Sequence, residues 1–81
     1  MQIEPGQILD EYDVLTDELL ARYIVIDIKE ERLPNRISVL CVYDSQKFDV
    51  PGSITCLDDS SILGNITIYW KLDGVKILDE D

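Results

Sequence analysis

Histidine is absent from this 81-residue chain. Without it no Ser-His or Cys-His nucleophile pair can form, and the commonest general base is missing. Glycine is scarce: Gly6, Gly52, Gly64 and Gly74 stand far apart, so no glycine-rich loop can cradle a phosphate. They punctuate the chain as turn residues instead. Long apolar runs are also missing; the longest fall far short of the roughly 20 residues of a membrane-spanning helix. Cysteine is limited to Cys41 and Cys56, each inside an apolar run and with no CxxC partner, so free thiols are expected and a metal or disulfide role is not. Bases are few. Seven Lys and Arg face seventeen Asp and Glu, a net charge of −10. A phosphate-binding surface needs a basic patch, so direct nucleic-acid binding is disfavoured, and so is an anionic membrane surface. The partner that electrostatics favours is a basic protein surface.

The residues present describe a small folded domain. Apolar residues make up 46%, eleven of them isoleucine, unlike a disordered chain. So much isoleucine also sits poorly with salt adaptation as the source of the acidity. The opening Met1-Gln2-Ile3-Glu4 has no basic stretch and leads into no apolar one, so a cytoplasmic location is expected. Asn65-Ile66-Thr67 has the form of a glycosylation acceptor, which carries no weight without export.

A period of two dominates the pattern. Gln7-Ile8-Leu9 reads as a short first strand after the Pro5-Gly6 turn. Thr16 to Ala21 reads as about two turns of helix, capped by Thr16 with Asp17 and Glu18 in its first turn. Tyr23 to Lys29 places Ile24, Ile26 and Ile28 on one face, with Tyr23, Asp27 and Lys29 on the other. Past a polar connection with a Pro34-Asn35 turn, Arg36 to Tyr43 is apolar on both faces, as a central strand would be. These two strands are expected to pair as an antiparallel hairpin. Ser53 to Leu57 is a further strand, and Asp58 to Gly64 fits a single helical turn. Asn65 to Leu72 is the clearest strand, and Asp73-Gly74 returns the chain through Val75 to Leu78. Asp79-Glu80-Asp81 is an acidic tail. The whole is expected to be one mainly β domain over residues 1–81, a five- or six-stranded antiparallel barrel or sandwich with one or two short helices. Its expected core is Ile24, Ile26, Ile28, Val39, Cys41, Ile54, Cys56, Ile66, Ile68, Trp70 and Leu72.

A family resemblance rests on several of these segments. Pro5-Gly6-Gln7-Ile8 leads to the strand Tyr23 to Ile28; Val39-Leu40-Cys41-Val42 follows, then Pro51-Gly52-Ser53-Ile54-Thr55 and a late Tyr69-Trp70-Lys71-Leu72. The arrangement resembles the Src-homology-3-like small barrels of short bacteriophage-encoded proteins. The acidic stretch from Asp10 to Arg22 departs from their compact form. The resemblance implies a partner-binding barrel and transfers no catalytic residue.

Five acids in nine residues, Asp10, Glu11, Asp13, Asp17 and Glu18, are the candidate binding segment. They lack the glycine and ligand spacing of a calcium loop. A solvated surface and a protein-recognition surface both account for them. Tyr69, beside Lys71 on an outward face, is the aromatic candidate for an interface, whereas Trp70 is in register with core positions. The expected function is therefore non-enzymatic, with no cofactor and no metal: an inhibitor or adaptor, phage-encoded, docking acids on a basic site of a host protein. Were that site one that handles nucleic acid, the domain would be a nucleic-acid mimic. A structural component that self-associates through the barrel edge, and a domain binding a small ligand or metal, are the alternatives.

Overall fold

The computed structural model describes residues 3–29, 36–58, 62 and 66–77. Six strands form among these residues: β1 (Ile8–Asp13), β2 (Leu19–Lys29), β3 (Arg36–Asp44), β4 (Ile54–Asp58), β5 (Ile68–Leu72) and β6 (Val75–Lys76). All pair antiparallel in one sheet of order β4-β3-β2-β1-β5-β6. The mainly β reading holds. The sheet is not closed into a barrel, and its ends, β4 and β6, remain separate edges.

One face of the sheet carries the core. Leu9, Ala21, Tyr23, Val25, Ile37, Val39, Cys41 and Trp70 are buried there with Ile3 and Ile62, and Ile28, Leu57, Ile68, Leu72 and Ile77 pack against them. Tyr23 lies against Trp70 with ring centroids 6.1 Å apart. The expected core is right for Val39, Cys41 and Trp70, and Ile28, Ile68 and Leu72 pack at its margin. It is wrong for Ile24, Ile26, Ile54, Cys56 and Ile66, which are exposed.

The errors have a physical cause in the ladder. Val39 and Cys41 face inward, and the register pairs them with Val25 and Tyr23, so those residues share the core face and Ile24 turns outward. Between Val25 and Asp27 the pairing slips by one, leaving Ile26 as the extra residue of a bulge. A bulge resets the alternation, and Ile28 therefore returns to the core side opposite buried Ile37. In β4 the same register logic pairs Thr55 with Val39 and Leu57 with Ile37, sending Ile54 and Cys56 outward. Ile66 is outside because β5 begins only at Ile68.

No helix forms from Thr16 to Ala21. Thr16 to Glu18 belong to the turn between β1 and β2, and Leu19-Leu20-Ala21 open β2. The carboxylate of Asp13 accepts the N–H groups of Leu15 and Thr16 at 2.8 and 3.2 Å, and Asp17 takes a left-handed conformation with φ 58°. This side-chain turn outcompetes a helix N-terminus. Leu20 is the extra residue in a second bulge, and its carbonyl accepts both the N–H and the hydroxyl of Ser45 at 2.8 Å. β1 consequently runs to Asp13, past the expected end at Leu9. Of the helical turn expected over Asp58–Gly64, Asp58 instead ends β4 and Ile62 is helical and buried. Residues 59–61 and 63–65, the Pro34-Asn35 turn and the 79–81 tail lie outside the described residues.

Candidate protein-binding surface

The alternation of β1 divides the acidic segment between the two faces of the sheet. Asp10 sits on the outer face in a row with Arg22 on β2 and Lys71 on β5. It is buried, and Arg22 grips it twice, Nε to Oδ1 at 2.8 Å and Nη2 to Oδ2 at 3.1 Å. The acceptor beside it pushes the guanidinium pKa of Arg22 further up. The charge of Asp10 is thus neutralised within the fold. Asp13 is committed to the turn. Asp17 is exposed and accepts the Tyr69 hydroxyl at 2.8 Å, while Glu18 is exposed.

Tyr69 is held from several sides. Its ring stacks on Tyr12 with centroids 5.2 Å apart, Lys76 lies 4.7 Å over it, and Lys71 lies 4.8 Å over Tyr12. The bond to Asp17, and then burial, pushes its hydroxyl pKa up. Tyr69 and Asp17 are therefore brought together, tying β5 to the β1–β2 turn. The two stacked rings with lysines over them fix this end of the outer face.

Glu11 belongs to the other face. The register sets Trp70, Glu11, Ala21 and Asp44 in one row across β5, β1, β2 and β3. Ala21 is small and buried, so no bulky side chain stands between Glu11 and Asp44 in this row. Asp49 joins them from the β3–β4 loop, held by its N–H to Asp44 Oδ2 at 2.8 Å, and receives the Tyr23 hydroxyl at 3.3 Å. Burial raises the pKa of Glu11, and Asp44 and Asp49 raise it further. The Tyr23 hydroxyl is pushed well above its ordinary value by burial and then by Asp49, Glu11 and Asp44. Burial, then Asp49 and Asp44, also pushes the Cys41 thiol up. Three groups on three strands, Glu11, Tyr23 and Cys41, thus lie in one concentrated negative field. The same field keeps Cys41 protonated, which is the reverse of an activated nucleophile.

Glu11 was the only member of this cluster expected from sequence. Asp44 and Asp49 were missed because the loop from Asp44 to Val50 has no pattern of its own, and Tyr23 because it was expected on the outward face of its strand. A signal did exist: Asp44 and Asp49 bracket four residues, a span in which an Asp at the head can cap the N–H groups that follow, as Asp44 does for Gln46 and Asp49. Among the described residues no cation lies within ion-pair distance of Glu11, Asp44 or Asp49, Arg22–Asp10 being the one salt bridge there. Among the same residues no group of three His, Cys, Asp or Glu is arranged to hold a metal ion, and both cysteines are free thiols. No helix there is long and apolar enough to cross a membrane. Protein-family models, curated proteins and solved structures give no match to this chain.

Proposed function

We propose that this domain acts without catalysis, as a protein-interaction module whose carboxylates receive a basic site of a partner protein. The observation that carries the reading is the convergence of Glu11, Asp44 and Asp49 without a compensating base among the described residues. Like charges held together cost free energy, and a Lys or Arg from a partner relieves that cost. Placement of the bases supports it. Arg22, Arg36, Lys71 and Lys76, four of the chain's seven, lie on the outer face, away from the cluster. Exposed Asp17 and Glu18 extend the negative surface at the β1–β2 turn.

Where the basic site normally grips DNA or RNA, the domain competes for it as a nucleic-acid mimic and inhibits its host protein. A phage-encoded protein of the Src-homology-3-like kind, working in host cytoplasm, fits that role. The test is affinity capture with the intact domain at low salt, followed by association kinetics for the captured partner. Glu11→Gln/Asp44→Asn/Asp49→Asn, which keeps most hydrogen-bond acceptors, is expected to slow association, and added salt is expected to slow the native protein likewise. A complex insensitive to both changes contradicts the reading.

A further inference from the structure

The open sheet leaves two edges, and they differ. The β6 edge is two residues long and carries Lys76, the usual way of blunting an edge. The β4 edge is five residues long, and Ile54 to Leu57 hold neither charge nor proline. Its backbone polarity follows from the ladder. Cys41 donates its N–H to the Ser53 carbonyl at 2.8 Å and accepts from Gly52 N–H at 2.7 Å, so Cys41, Val39 and Ile37 turn their backbone groups toward β4. Thr55 and Leu57, paired with Val39 and Ile37, answer them. Ile54 and Cys56 therefore direct N–H and C=O away from the sheet, with no partner strand among the described residues. Side chains add to this: Ile8, Ile24, Leu40 and Ile54 lie in one register row across the outer face, and the row ends at the β4 edge with Ile54 67% exposed.

We infer that β4 pairs with β4 of a second copy of this chain, antiparallel about a two-fold axis near Cys56. A second copy suits the edge because an antiparallel pair of identical strands is self-complementary. The charges agree. In this register the two Asp58 carboxylates fall at opposite ends of the pair, each across from Ile54, so the only acid of β4 does not meet itself. This surface is separate from the carboxylate cluster and goes beyond the basic-partner reading. Its salt response is also opposite: screening the −10 charge of each copy strengthens the pair.

Sedimentation of the full chain across a concentration series, at low and raised salt, tests the pairing. A dimer that tightens with salt is expected. Ile54→Asp, at an exposed site that faces Asp58 across the pair, sets like charges opposite each other and is expected to give a monomer whose melting temperature matches that of the dilute native chain. Independently, a short bis-maleimide is expected to join two native chains through Cys56, whose Cα atoms would lie about 5.5 Å apart across the pair, while Cys41 is buried and shielded. A native chain that stays monomeric at every concentration overturns the inference, leaving the edge to a foreign strand. A dimer that survives Ile54→Asp and does not cross-link through Cys56 overturns it equally.

Discussion

Val25 and Ile26 are neighbours of similar chemistry with opposite fates: Val25 is 1% exposed and Ile26 is 42% exposed on a bulge. Val25→Ala is expected to cost about 2 kcal/mol and Ile26→Ala under about 1 kcal/mol in chemical denaturation. The reverse order would restore the strict alternation that the isoleucines suggest. Sequence shows that Tyr23 to Ile28 is a strand, because β-branched residues dominate it. It does not show the face, because both alternating sets, Tyr23 with Val25 and Ile24 with Ile26, are apolar enough to be buried. Register with β3 decides between them, and register is a property of two strands. Glu11 gives the second residue-scale prediction. Its folded pKa is raised above the ordinary 4.5, so the folded state holds the proton more tightly than the unfolded one. The contribution of Glu11 to stability is present in full below the unfolded value and is lost as pH rises through the folded one. Glu11→Gln is therefore expected to raise the melting temperature at neutral pH and to flatten its decline above pH 4.5. A variant less stable than the native protein at neutral pH would show that the carboxylate is compensated.

Among the elements, the β5–β6 hairpin was the most legible. Asp73 and Gly74 both have positive φ, 49° and 82°, as a two-residue turn matching the strand twist requires. Asp73 also accepts the Ile8 N–H at 2.9 Å, fastening the hairpin to β1. An added Cβ at Gly74 meets nothing within 4 Å, so Gly74→Ala isolates the backbone cost. A loss of about 1–2 kcal/mol is expected in thermal unfolding; no loss would mean that the turn can relax out of the left-handed region. The β1–β2 turn was the least legible element. Thr16-Asp17-Glu18 before Leu19-Leu20-Ala21 has the local chemistry of a helix start, but β1 and β3 on either side offer Leu19 to Ala21 a ladder. Tertiary pairing overrides the local preference. The acidic segment changes meaning with it. Only Asp17 and Glu18 were expected on that helix; Asp10 and Glu11, on the lengthened β1, point to opposite faces.

Across the whole molecule, charge is sorted. The outer face gathers most of the bases around an apolar row, and the carboxylate cluster lies on the core side between β1, β2, β3 and the loop carrying Asp49. Composition made the acidity plain. It could not say that Asp10 is neutralised by Arg22, or that Asp44 and Asp49 complete a cluster begun by Glu11, since these contacts join residues distant in sequence. In the proposed function this cluster, and not acidity in general, receives a partner's cation. The direct measurement is an amide chemical-shift titration of the native domain with a short arginine-rich peptide at low and physiological salt. Shifts are expected to centre on Glu11, Ala21, Tyr23, Asp44 and Asp49, to persist at physiological salt and to be lost in Glu11→Gln/Asp44→Asn/Asp49→Asn. Shifts spread evenly over all the exposed acids, vanishing with salt and indifferent to the triple substitution, would contradict the proposed function.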